Sequence, residues 1–210
     1  MDWISPANAM SMVFDDPARI GPDPDFGFAL LWSGDGKGGS HRTADLARAK
    51  LQPRKPSAAE IKAAGPEWAV TAADHRLLLA DGVADVGGAR VFFESYDAAV
   101  LPGQNLLAVM QTLRFPPSLP RHAMMHAAYM YVALCLQPKA LSSLIVQHMP
   151  SDIRSNRAPH LHVVTPVLTH HLSGYSTVHS MFADTPAEMH RAFSADWQRV
   201  RQALATLPAV

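Results

Sequence analysis

Two short apolar runs, "SSLIVQHMP" at 142–150 and "HLHVVTPVL" at 160–168, flank the polar stretch "SDIRSNRAP". Each run is rich in Val, Ile and Leu and bounded by proline or polar residues, as a buried strand would be. Antiparallel neighbours joined by the 11-residue loop 149–159 would bring the end of the first run back beside the start of the second. Residues i and i+2 of a strand share a face, so His160 and His162 project together. His148, at the end of the first run, then falls on or near the same rim. Three imidazoles from two adjacent strands can hold a divalent transition metal and leave coordination positions open. A metal with open positions can polarise a phosphodiester oxygen. Against this stands a count of 11 histidines in 210 residues, high enough for unrelated neighbours to occur.

The remaining elements can be read around that pair. "DDPARIGPDPDFG" makes residues 1–26 an irregular lead-in, because proline blocks helix and ladder alike. "FGFALLW" (26–32) is a strand, followed by a Gly-rich loop that lacks the spacing of a phosphate-binding loop. "TADLARAKL" (43–51) reads as a helix with Thr43 as N-cap, and Ser57 with Glu60 as a capping box opening a second one. "ARVFFES" (89–95) reads as a strand, and so does "LLAVMQTLRF" (106–115). "RHAMMHAAYMYVALCL" (121–136) reads as a helix. "HHLSGYSTV" is a loop or the turn of a ribbon. Residues 185–207 form a long amphipathic helix with Met189, Phe193, Trp197, Val200 and Leu204 on its buried face.

The net charge is zero, but residues 1–104 hold 10 Lys and Arg against 14 Asp and Glu, and residues 105–210 hold 8 against 4. The basic half carries the histidine pair, which permits an anionic partner there. Its arginines are Arg114, Arg121, Arg154, Arg157, Arg191, Arg199 and Arg201. The single cysteine, Cys135, excludes an internal disulfide and a cysteine-based zinc site, and its apolar surroundings mark it as a buried hydrophobe. No basic leader and no apolar run of membrane-spanning length is seen, so the chain is expected to be soluble and cytoplasmic, with no membrane partner.

"IVQH…RSNRAPHLHVV" resembles the metal-binding core of plasmid mobilisation relaxases of MobA/MobL type, in the HUH endonuclease class. The matching residues are His148, Arg154, Asn156, His160 and His162. "VMQTLRFPPSLPRH" and "AEMHRAFSADWQRVRQAL" are similar to the segments flanking that core, so the resemblance covers about 105–205 and leaves 27–104 poorly matched within one domain, 27–210. It implies an α+β fold, an antiparallel sheet with helices packed mainly on one face. It also implies a divalent metal, Mn or Mg with Zn as a further option, on His148, His160 and His162. Single-stranded DNA is the implied partner, with Arg154, Arg157 and Asn156 on the phosphate, and nicking or strand transfer the implied activity.

The class uses a tyrosine nucleophile, which relaxases place on a helix after the first strand. The corresponding segment "SHRTADLARAKL" has none. Of Tyr96, Tyr129, Tyr131 and Tyr175, the last follows the H-x-H strand, as in replication initiators of the same class, and is the candidate catalytic residue, with Tyr96 next. Two alternatives stand beside this reading. One is a relaxase-like fold without catalysis, serving as a DNA- or protein-binding module. The other is a histidine-triad-like nucleotide phosphoesterase, whose third alternating histidine is replaced here by Val164. The pair His122 and His126 has zinc-ligand spacing on a helix, but Ala123 stands where a metalloprotease needs glutamate.

Overall fold

A computed structural model describes residues 3–14, 25–34, 40–84, 86–149 and 158–206. The main sheet contains β1 (Val13–Phe14), β2 (Phe26–Trp32), β3 (Asp74–Leu78), β4 (Leu106–Arg114), β5 (Ser143–His148) and β6 (His160–Pro166). Their order across it is β1-β2-β4-β6-β5-β3, and every pairing is antiparallel. A separate ribbon joins β7 (Leu168–His171) to β8 (Gly174–Val178). The class is α+β, as the sequence suggests.

Alternation along the strands divides the core into two layers. Phe26, Phe28 and Leu30 of β2, Val109 and Leu113 of β4, Ile145 of β5, and Leu161 and Val163 of β6 point to one face. The two longest helices cover that face: α5 (Arg121–Cys135) through Met124, Ala128, Tyr131 and Val132, and α6 (Pro186–Ala205) through Met189, Phe193, Trp197 and Val200. Burying each large apolar side chain contributes about 1.5–3 kcal/mol. The opposite face takes a second, shorter layer, formed by α2 (Thr43–Leu51) with Leu46, Ala47 and Leu51 and by α4 (Ala89–Ala99) with Phe92 and Phe93. Covering both faces explains why β5 and β6 are buried at every position and read as continuous apolar runs.

Two elements differ from the sequence reading. "ARVFFES" lies in helix α4, not in a strand. Gly88, with φ 116, turns the chain, Phe92 N–H donates back to its carbonyl at 3.0 Å, and Phe92, Phe93 and Tyr96 are all buried. Aromatic and β-branched composition misleads here because the helix buries its bulky residues. The lead-in is also more regular than its prolines suggest. Residues Pro6–Ser11 form α1, capped by Ser5, and β1 pairs with β2 at the sheet edge.

Helix α2 carries weight for the site described below. Thr43 does not cap it; Arg42 stands at the N-cap without a side-chain bond. The cap comes from α4 instead: Asp97 accepts from the backbone N–H groups of Thr43 and Ala44 at 2.9 and 3.1 Å, and from the Thr43 hydroxyl at 2.6 Å. The Ser57–Glu60 capping box forms as expected at the start of α3 (Ala58–Ala64). Among the described residues no helix is long and apolar enough to cross a membrane.

Candidate metal centre

Strand register builds the site. His148 of β5 lies directly opposite His160 of β6, and His162 follows two residues on. All three therefore occupy the face that α2 and α4 partly cover, at the end of the sheet where α2 finishes. The ring centroids stand 5.3, 4.8 and 4.9 Å apart, with each pair of rings nearly perpendicular. The three side chains are 7%, 8% and 7% exposed. One ring nitrogen of each lies within 4.8 Å of the others, and among the described residues no other group of three or more His, Cys, Asp or Glu side chains is gathered this way.

The second nitrogen of each ring is held. His148 Nε2 lies 2.7 Å from the Lys50 carbonyl at the end of α2, and His160 Nδ1 lies 2.9 Å from the Ala158 carbonyl. A carbonyl only accepts, so both nitrogens carry the proton. That leaves the lone pairs on His148 Nδ1 and His160 Nε2. His162 Nδ1 lies 3.1 Å from the Thr112 hydroxyl, the residue paired with it on β4. Metal-binding histidines are typically fixed this way, the outer nitrogen bonded so that the inner one points at the ion.

Burial disfavours the charged imidazole. It lowers His148 from 6.5 to about 4, against a raising effect of the Lys50 carbonyl. His162 is pushed well below 6.5, again by burial first, with Lys50, the other two histidines and Arg114 adding to it. At neutral pH both are therefore neutral donors, the form a metal requires. Three imidazole nitrogens suit a first-row transition ion better than Mg, which prefers oxygen. Tetrahedral bonds of 2.0–2.1 Å place ligand nitrogens about 3.3 Å apart, so an ion would draw together nitrogens that already lie within 4.8 Å of one another.

The other expected site residues fall elsewhere. Tyr175 is not brought to the histidines. It stacks on His170 at 4.4 Å, packs edge-on against Tyr96 at 5.2 Å, and donates its hydroxyl to the Phe92 carbonyl at 3.0 Å. Tyr96 donates to the Leu107 carbonyl at 2.7 Å and accepts from Val167 N–H at 3.2 Å. Val167 is five residues beyond His162, roughly 17 Å along a strand. Burial raises the Tyr96 phenol to about 12 and drives Tyr175 up as well, so neither ionises readily. Tyr129 and Tyr131 belong to α5, on the other face of the sheet. Arg154, Asn156 and Arg157 lie outside the described residues. His122 and His126 are exposed on α5, and Val164 is buried in the sheet. Lys50, Thr112 and Ala158, which orient the rings, were not singled out from sequence. Only Thr112 carries a signal that could have found it, through its register with His162.

No protein-family model matches the sequence, and no curated protein matches it. Two chains of solved structures do match its fold. One belongs to a structure described as the molecular basis of vancomycin resistance transfer in Staphylococcus aureus; it superposes with a TM-score of 0.61 over 85% of this chain and 90% of that one, at 13% identity. The fold is relaxase-like. Relaxase-like describes the architecture, and within it the three histidines sit on the central strand β6 and its neighbour β5.

Proposed function

We propose that this relaxase-like protein binds DNA through a divalent metal held by His148 Nδ1, His160 Nε2 and His162 Nε2. The observation that carries the reading is the convergence of three buried imidazoles, each with its outer nitrogen already bonded. When bound, the ion supplies Lewis-acid polarisation of a phosphodiester oxygen. The chain's own residues orient the rings through Lys50, Thr112 and Ala158, and burial keeps His148 and His162 unprotonated. The loop 149–159, with Arg154, Asn156 and Arg157, joins the two ligand strands and contributes phosphate contacts.

In this reading DNA is held by the centre without a tyrosine nucleophile from the same chain. All four tyrosines are accounted for above, with Tyr96 and Tyr175 committed to backbone carbonyls at the far end of the sheet. A nicking or strand-transferring enzyme is the second reading, and the fold itself favours it. One experiment separates them. Fluorescently labelled single-stranded oligonucleotides are incubated with the protein and Mn2+, followed by anisotropy and by a denaturing gel. The proposal expects Mn2+-dependent binding that the His160→Ala/His162→Ala double variant loses, with no covalent product. An adduct mapped to Tyr175 or Tyr96 would establish the enzyme instead. Binding that ignores both metal and the double substitution would remove the metal reading.

A further inference from the structure

Arg114 closes β4 directly opposite His160. It is exposed, yet its head lies back along the sheet rather than outward. Nη2 and Nη1 stand 3.2 and 3.4 Å from where a Cβ on Gly27 would be. Gly27 pairs with Thr112, and Thr112 with His162, so these residues form one lane on the histidine face. The absent side chain at Gly27 is what lets the guanidinium lie there, over the same backbone position that Thr112 Cβ approaches at 3.1 Å. Among the described residues no carboxylate pairs with Arg114. Arg199 and Arg201 differ, since each is bound to an aspartate at 2.7 Å.

A second cation approaches from the helix layer. Lys50 is 4% exposed, and its own carbonyl holds His148. The charges of Lys50 and Arg114 both act on His162. The three imidazoles bring no negative charge, and among the described residues no carboxylate belongs to the group. A divalent ion here would be repelled by Arg114. A phosphate would be attracted by it. Guanidinium is well suited to that ligand because its planar fork matches two phosphate oxygens.

Building on the reading of this centre as a metal–phosphodiester site, we propose that Arg114 is its phosphate anchor and makes metal and phosphodiester binding cooperative. Each ligand is held weakly alone and tightly with the other, and the coupling is reciprocal.

Calorimetric titration of the full chain with Mn2+, with and without a short single-stranded oligonucleotide, tests this. The oligonucleotide should raise Mn2+ affinity roughly 5- to 100-fold in the unaltered protein. In Arg114→Met, Mn2+ alone should bind more tightly, the enhancement should shrink toward one, and the salt slope of oligonucleotide binding should fall by about 1. Gly27→Ala keeps the charge but crowds the guanidinium, and Thr112 Cβ with it, and should lose part of the enhancement. Circular dichroism confirms that each variant is folded, and if one is not, the other carries the test. A folded Arg114→Met with undiminished enhancement overturns the proposal, and so does Mn2+ affinity in the unaltered protein that is indifferent to the oligonucleotide. Either result leaves the metal centre standing. Absence of Mn2+ binding under both conditions overturns the metal reading, and the proposal with it.

Discussion

His148 donates its Nε2 proton to the Lys50 carbonyl across 2.7 Å, joining residues 98 apart in sequence. The bond ties the last turn of α2 to the end of β5 and fixes which nitrogen of His148 faces the other two rings. Helix α2 is thus held at both ends by side chains from elsewhere, Asp97 at its start and His148 at its finish. Ring orientation and helix placement are one problem in this molecule.

The metal should stabilise the fold. At a free concentration about 100 times its Kd, a bound ion adds about 2.7 kcal/mol. Thermal melts with and without Mn2+ or Zn2+ should show a rise in Tm for the unaltered protein and none for His160→Ala/His162→Ala. An equal rise in both would mean that the ion binds elsewhere.

Thr112→Val removes the hydroxyl beside His162 Nδ1 but keeps the shape and β-branching suited to a central strand. Loss of such an outer partner typically costs 10- to 100-fold in metal affinity. Competition with a chelator of known affinity measures it, and the melting temperature without metal should change little.

Stability should fall in mild acid. Burial lowers His148 from 6.5 to about 4 and pushes His162 down as well, so between those values the unfolded chain takes up protons that the folded chain refuses. The contribution is complete above about pH 6.5 and is lost as pH drops toward 4, to the extent of on the order of 3 kcal/mol for His148. Urea denaturation of the metal-free protein at about pH 7.5 and about pH 5 measures the loss. His148→Gln should lose less stability over the same interval.

Asp97→Ala should cost about 1–2 kcal/mol, the range for losing a helix cap. It should also weaken metal binding, although Asp97 touches no ligand, because α2 carries the carbonyl that orients His148. Chemical denaturation and metal titration on the same variant separate the two effects.

Tyr175→Phe deletes the bond to the Phe92 carbonyl, a loss of about 1 kcal/mol. Metal affinity and oligonucleotide binding should stay as they are. A drop in either by tenfold or more would bring Tyr175 back into the site.

Much of the site was legible because strand geometry is local. Alternation put His160 and His162 on one face, and a short connection made β5 and β6 neighbours, so the gathering of three histidines followed from spacing. The strand "FGFALLW" and the Trp197 helix were equally plain, since their apolar periods match their burial. What was not legible depends on contacts far apart in sequence. Nothing near Thr43 says that its helix is capped by Asp97, and nothing near His148 announces Lys50. "ARVFFES" was misread because β-rich composition outweighed a three- and four-residue spacing that becomes apparent only with Tyr96 included. Tyr175 was placed by its order in the chain, and β7 and β8 carry it away from β6 to the opposite end.

The pairing of His148 with His160 has a consequence for how such chains can change over time. A one-residue insertion within β5 would exchange His148 for Gln147 on the histidine face, and one within β6 would turn His160 and His162 toward the α5–α6 core. The hydrophobic profile would hardly register either event. Length variation among descendants of this sequence is therefore expected between the two strands, at 149–159, and the number of residues inside each strand is the more faithful mark of a chain that still gathers the three histidines.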